Sequence, residues 1–276
     1  MNISIDKARN FVYANGLLWE QALFSYLFDG GSLDRLHECL RCYKNSDGGW
    51  GHGLEHDVKC PESHPLALEF LLSISRDTNI PMGNLLDGTL DWVERNRNED
   101  GSLRNPETLL KYPHAPWWND GGQTAPDSIT GNLLKNGISS DSLMTSTTRW
   151  TQSNLTIEKI QNNEWLFMAY HAFDYYMNIE ESLTSKPYKE ATIQNIIECA
   201  GKAEQKKYFT FFQFANSPET EIAKAVPQDL LKKFLDYLES AQREDGGWDD
   251  EHSLKHWQPY MTTFIVFVLK NYGRLK

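Results

Sequence analysis

The sequence predicts an all-α fold, a single domain over residues 1–276 built from stacked helical hairpins. Three observations predict it. The tetrapeptide Asp47-Gly48-Gly49-Trp50 returns as Asp245-Gly246-Gly247-Trp248, with a degraded copy, Asp100-Gly101-Ser102-Leu103, between them. Each copy follows an amphipathic stretch of helical period and precedes an apolar one, the layout of repeats that bury their faces on one another. A length of 276 residues also suits one large helical array.

Taken in order, residues 6–28 read as one helix with Phe11, Leu18, Ala22 and Leu23 near helical spacing, ended by Gly30-Gly31. Ser32 is an N-cap for the next helix, which carries Leu33, Leu36, Leu40 and Tyr43 before the first Trp turn breaks it. Pro61 opens a helix through Ser75 in which apolar residues surround a single Glu69, and a helix apolar all round is a buried one. Residues 85–97 form the helix before the second turn copy, with Leu86, Leu90 and Val93 on one stripe. The stretch 111–122, with two prolines and adjacent tryptophans in Tyr112-Pro113-His114-Ala115-Pro116-Trp117-Trp118, reads as an ordered loop. Trp165 to Met177 reads as one buried helix, and 192–214 covers others. Pro227 opens a helix with Leu231, Phe234, Leu235, Leu238 and Ala241 on one face, and the run Tyr260 to Leu269 is assigned to helix by its place in the repeat.

The first two turn copies lie 53 residues apart and the last 145 further on, close to three repeat lengths, so two intervening units are expected to lack the signature. The turn residues have a physical job. Glycine allows the positive φ that stops a helix and reverses the chain, aspartate accepts backbone N–H groups, and tryptophan fills the gap between hairpins. Gln242 is placed to bridge to an adjacent unit.

Lysine plus arginine number 27 against 38 aspartate plus glutamate, a formal charge of −11. That sign repels phosphate backbones and anionic headgroups, so nucleic acid and membrane surfaces are not expected partners. Met1-Asn2-Ile3-Ser4-Ile5-Asp6-Lys7 lacks the pattern of a secretory signal and no apolar run reaches a membrane span, so a cytoplasmic location is expected. Cys39, Cys42, Cys60 and Cys199 are too few for a disulfide scaffold. Cys39, Cys42, Cys60 and His64 offer four zinc ligands, although reduced cysteines acting as small apolar residues explain the same positions.

Gln242-x-x-x-Gly246-x-Trp248 resembles the Q-W repeat of triterpene cyclases such as squalene–hopene cyclase. Asp47-Gly48-Gly49-Trp50-Gly51 and Asp100-Gly101-Ser102 resemble turns of the same superfamily and of protein prenyltransferase β-subunits, while Lys44 and Arg97 replace the glutamine in these copies. The stretches Asn10 to Gly16, Asp47 to Glu55, Ala115 to Trp118 and Tyr272 to Leu275 look like a group of uncharacterised bacterial proteins with such repeats. The resemblance implies an α/α-toroid, inner and outer helices around a central cavity. It does not imply the activity: Asp-x-Asp-Asp and Asp-Asp-x-x-Asp are absent, and Asp57-Val58-Lys59-Cys60 has one residue too many for the zinc-binding Asp-x-Cys pair.

Two polar constellations are candidate sites. His52-Gly53-Leu54-Glu55-His56-Asp57 follows the first Trp turn, and Asp249-Asp250-Glu251-His252 with His256 follows the last. Both contain His-x-x-x-His, which on a helix presents two imidazoles to a divalent metal, with Asp57 or Asp249 as third ligand. Solvated loops whose carboxylates cap the next helix explain them equally. The second constellation is His171 with Asp174 and Tyr175, on one face of an apolar helix, where an Asp–His pair could act as a general acid or simply satisfy itself in the core.

Nine tryptophans, twelve tyrosines and thirteen phenylalanines suit a pocket for an apolar, isoprenoid-type or aromatic-stacking small molecule, with Trp117 and Trp118 as lid or wall. The expected function is acid-initiated cyclisation or isomerisation with Asp174 or Glu55 as proton donor. The ligand would be bound by His52, His56, Asp57, Trp117, Trp118, Asp249, Asp250 and His256. A carbohydrate-active toroid with facing carboxylates, or a non-catalytic binding scaffold, fits the same composition.

Overall fold

A computed structural model describes residues 3–118 and 122–275. The fold is all-α, as the sequence predicts. The helices are α1 (Ile5–Asn15), α2 (Leu18–Phe28), α3 (Leu33–Arg41), α4 (Pro65–Thr78), α5 (Thr89–Arg95), α6 (Asp127–Lys135), α7 (Asp141–Asn154), α8 (Ile157–Gln161), α9 (Tyr170–Tyr176), α10 (Lys186–Lys202), α11 (Tyr208–Phe211), α12 (Glu221–Ala225), α13 (Gln228–Ser240) and α14 (Gln258–Asn271). Among the described residues the sheet content is one antiparallel ribbon, β1 (Leu103–Arg104) with β2 (Gln123–Thr124), Leu103 opposite Thr124. The chain forms two compact units: one joins the N-terminal residues through Leu40 to those from Ile196 onward, the other is Arg41–Asn195. No helix among the described residues is long and apolar enough to cross a membrane.

The three turn copies share one hydrogen-bond pattern. Asp47, Asp100 and Asp245 each accept, through Oδ1, the N–H two residues on, from Gly49, Ser102 and Gly247 at 2.9–3.0 Å. The glycines between them have φ of 91° (Gly48), 96° (Gly101) and 95° (Gly246), where a side chain is strained. Each turn abuts a neighbouring element. A Cβ on Gly48 would lie 2.5 Å from the Gly88 carbonyl oxygen, one on Gly101 3.0 Å from that of Ser146, and one on Gly246 2.3 Å from that of Lys7. The residue four before each glycine completes the joint. Lys44 Nζ donates to the Leu85 and Asp87 carbonyls, and the Arg97 guanidinium to Ser142 and Ser146. Gln242 accepts from Ser4 N–H and donates to the carbonyls of Ser4 and Gly246. Trp50, Leu103 and Trp248 at the turn ends are fully enclosed.

In the unit formed by both chain ends, α14 is enclosed on almost every side and packs on α1 and α2, which confirms helix for residues 260–269. In the other unit α4, α6 and α9 pack together, with α6 against α9 the most intimate pair. Gly131 makes this possible, because a Cβ there would sit 1.8 Å from the Asp174 carbonyl oxygen.

Several boundaries differ from the sequence reading. Residues 6–28 form two helices because Gly16 turns extended and Glu20 reaches back to accept the Leu17 N–H, starting α2. The helix expected from Pro61 begins at Pro65, capped by His64, whose Nδ1 accepts the Ala67 N–H. Gly88, at φ 74°, splits 85–97 into a 3₁₀ turn (Gly83–Leu86) and α5. The segment Trp165 to Met177 is not one buried helix: Trp165, Phe167 and Met168 are exposed, and a 3₁₀ turn (Phe167–Ala169) precedes α9.

Candidate acid–base site

α4, α6 and α9 carry charged groups into the interior of the second unit. Arg76 and Asp77 end α4, Asp127 opens α6, and His171 and Asp174 lie on α9. The spacing of three does place His171 and Asp174 on one side of α9, but they do not pair with each other. His171 Nδ1–H donates to Asp127 Oδ1 at 2.9 Å, which also accepts the Ser128 N–H. Asp174 Oδ2 accepts from Arg76 Nη1 at 3.0 Å and Ser128 Oγ at 2.7 Å. Arg76 Nε donates to Asp77 Oδ1 at 2.8 Å. The reason is helix packing. Close approach of the backbones at Gly131 sets α6 against α9, so Asp127 and Ser128 at the start of α6 take up His171 and Asp174. Tyr175, the third member of that constellation, instead hydrogen-bonds Thr148 through its hydroxyl.

Glu69, flanked by apolar residues in the middle of α4, belongs to the same cluster. Its Oε2 lies 3.5 Å from the Tyr170 hydroxyl, and its Oε1 is shut off from solvent without a hydrogen bond. Tyr170 in turn stacks on the His171 imidazole, ring centroids 4.1 Å apart. Asp127 Oδ2 and Asp174 Oδ1 are likewise buried with no hydrogen bond. These charges shift one another. Burial pushes the Glu69 carboxyl up to about 7, with His171 holding it down against Asp127 and Asp174. For His171, burial acts to lower the pKa, but the charge and hydrogen bond of Asp127, backed by Glu69 and Asp174, carry it up to about 9. Burial raises Asp174, opposed by Arg76 and Ser128. The Tyr170 phenol is driven well above its usual value by burial and by Glu69.

The cluster is closed by protein on most sides. His171, 19 % exposed, together with the partly buried Tyr170 and Glu69, marks its solvent side. There the exposed Phe167 lies 5.4 Å from Tyr170, centroid to centroid, and Trp165 and Met168, its neighbours in sequence, are exposed as well. Between about pH 7 and 9 the arrangement holds a carboxylate and an imidazolium together, one able to take a proton and the other to give one.

The other expected site residues lie elsewhere. In the Arg41–Asn195 unit, His52 to Asp57 form turns rather than a helix, so His52 and His56 do not share a helical face. His52 sits exposed at φ 56° with Nε2 2.8 Å from Asn45 Oδ1, and His56 is buried edge-on to Phe70. Glu55 is buried, accepts the Asp57 N–H, and has its carboxyl pushed up to about 8 by burial and by Asp57. The loop after Tyr112 is strapped to this turn: Lys59 N–H donates to the Pro113 carbonyl and Ala115 N–H to that of Asp57. Trp118 packs on the cluster of Val58, Cys60, Leu66 and Leu109, while Trp117 is exposed.

In the other unit Asp250 Oδ1 accepts the His252 and Leu254 N–H groups, folding 250–254 into a turn, so His252 and His256 share no helical face either. Asp249 accepts from Arg243 and Gln258, and His256 is exposed. Among the described residues, no three His, Cys, Asp or Glu side chains are gathered as a metal-binding group. A cavity of about 410 Å3 lies beside the first Trp turn, lined by Asn45, Asp47, Glu62, Ser63 and Trp92 among others.

Glu69, Arg76, Asp77, Asp127 and Tyr170 escaped the sequence reading. A signal existed for Glu69, a carboxylate that an all-apolar helix must bury. Asp127 carried none, because its partner is 44 residues away. No protein-family model matches this chain, and no curated protein matches it.

Proposed function

We propose that this protein is an acid–base enzyme that isomerises an apolar small molecule by proton transfer, with Glu69 as the base and His171 as the charged hydrogen-bond donor. The observation that carries the reading is the placement of these two groups around one phenol ring, with overlapping pH ranges in which both are in working form. Asp127 is a positioning residue: it ties up Nδ1, keeps the imidazole charged, and leaves Nε2–H for a ligand. Tyr170 closes the floor, and the exposed Phe167 beside it offers an apolar contact surface.

The reading keeps the isoprenoid-like ligand class, the cytoplasmic location and the terpenoid-cyclase-like α/α-toroid suggested by the repeat. Within the unit formed by both chain ends, Gln242 with Ser4 and Gly246 against Lys7 joins the last turn to α1, as stacked repeats would be joined. It moves the proton-transfer role from Asp174, which is committed to Arg76 and Ser128, to Glu69. A second reading, a polar or carbohydrate ligand, is favoured by the cavity beside the first turn, where Asp47 and Glu62 both line the wall.

Turnover of an isomerised substrate is expected to rise through a pKa near 7 as Glu69 ionises and to fall near 9 as His171 loses its proton. Glu69→Gln is expected to lower kcat by about 10²–10⁴-fold. A pH profile flat from 6 to 10, or full activity in Glu69→Gln, would remove the reading.

A further inference from the structure

The donor and acceptor left over at this site define what a substrate must present. With Nδ1 bonded to Asp127, His171 has one remaining donor, Nε2–H, on a side chain that is partly exposed. Glu69 has one remaining acceptor, Oε1, buried and without a hydrogen bond. The Tyr170 ring lies between them, stacked on the imidazole and directing its hydroxyl at the other Glu69 oxygen. A ligand entering on the solvent side therefore meets the cationic donor first, and reaches the carboxylate oxygen, which is shut off from solvent at rest, only where the Tyr170 ring gives way to it. A plain hydrocarbon could use the acid but would leave the imidazolium facing apolar carbon, a costly mismatch for a group kept charged by a buried carboxylate. A carbonyl oxygen matches the donor, and carbonyl polarisation makes the neighbouring C–H acidic enough for a carboxylate base.

Resting on the assignment of Glu69 and His171 made above, we infer that the substrate is an apolar β,γ-unsaturated carbonyl compound. Its oxygen accepts a hydrogen bond from His171 Nε2–H while Glu69 moves a proton from the α to the γ carbon. The Glu69 carboxylate takes the α proton, and the C–H electron pair moves into a new bond between the α and carbonyl carbons. The charge gathering on oxygen is held by the imidazolium. The dienolate then recovers the same proton from Glu69 at the γ carbon, its electrons shift back, and the double bond ends conjugated with the carbonyl. Nothing is oxidised or reduced, and Glu69 returns to its carboxylate form. The exposed Phe167, beside Tyr170, would hold the apolar body.

The test uses the full chain with 4-methylcyclohex-3-en-1-one, followed by the ultraviolet absorbance of the conjugated enone. A parallel incubation with 1-methylcyclohexene in D2O is read by NMR for deuterium incorporation. Expected are conversion of the ketone and no labelling of the hydrocarbon. Glu69→Gln is expected to lose about a hundredfold in rate and His171→Gln at least about tenfold, each variant checked by its melting curve. Phe167→Ala, a change at an exposed side chain, should raise KM with little change in kcat even if the buried variants fold poorly. No conversion by the wild-type protein, equal conversion by folded Glu69→Gln, or labelling of the hydrocarbon at a comparable rate would each overturn the carbonyl assignment. NMR titration of the Glu69 carboxyl separates the two levels. Titration near 7 with no ketone conversion removes only the substrate class, whereas titration in the ordinary carboxylate range removes the acid–base reading beneath it.

Discussion

At the scale of single residues, Gly131 fixes the geometry of the site. Two effects of Gly131→Ala oppose each other. Helix propensity favours alanine by about 1 kcal/mol in a helix interior. Against that, the new Cβ would stand 1.8 Å from the Asp174 carbonyl oxygen, and 2.5 Å from its carbonyl carbon. Overpacking costs about 1–3 kcal/mol when side chains can shift, and here the obstacle is backbone, which can yield only by moving α9 from α6. The clash therefore wins. Gly131→Ala is expected to lose about 2 kcal/mol net, a drop of about 4–8 °C in melting temperature. It should also shift the His171 NMR titration, because the His171–Asp127 bond spans the same two helices. A melting point at or above wild type would mean that α6 is free to slide and that Gly131 does not hold the pair together.

At the scale of elements, the repeat is a joint, and each joint uses a different residue for one task. Gln242, Lys44 and Arg97 occupy the same place relative to their turn glycine, yet they are amide, ammonium and guanidinium. What they share is reach and N–H donors directed at oxygen atoms of a neighbouring element. Gln242→Ala removes three such bonds, two to Ser4 and one to Gly246, from a partly buried position. The expected cost is about 1–3 kcal/mol, read as a lower urea midpoint at unchanged slope. A midpoint within error of wild type would show that water replaces the amide without loss.

The same joints show what sequence could disclose. Asp and Gly in the turns were legible because their requirements are local: an aspartate bonded two residues on, a glycine at positive φ. That Gln242 reaches an adjacent unit was legible from its place before the turn, but its partner Ser4 lies 238 positions away and leaves no local trace. The break at Gly16 was hidden because it depends on Glu20 reaching backward, and α9 was read too long because the period of Trp165 to Met168 matches its own while their side chains face solvent. At the site, His171 and Asp174 were legible as polar residues on an apolar helix, but their partners come from α4 and α6, and only packing selects them.

At the scale of the whole molecule, the buried ionisable groups set how stability depends on pH. Glu55 and Glu69 bind a proton more tightly when folded, up to about 8 and 7 against a usual carboxyl near 4.5, and His171 does so up to about 9 against 6.5. All three make the native state the better proton binder, so their stabilising effect is complete at low pH and disappears as pH rises through those values. His64 acts oppositely. Its pKa is lowered by burial to about 4, so protonation favours the unfolded chain and its effect is complete only above about 6.5. Between pH 4.5 and 6.5 His64 offsets about one of the two carboxyls, leaving a net fall in stability that steepens above 6.5. Above 6.5 it has no further effect, and Glu55, Glu69 and His171 act in the same direction.

The urea midpoint is therefore expected to fall steadily from pH 6.5 to 9. Glu55→Gln, which replaces the carboxyl with a group that does not ionise, should flatten the fall from about pH 4.5 to 8 while leaving the slope above about 8, where His171 titrates, unchanged. A midpoint constant or rising over this range would show that these carboxyls are hydrated in solution, and with them would go the buried acid–base pair on which the catalytic reading depends.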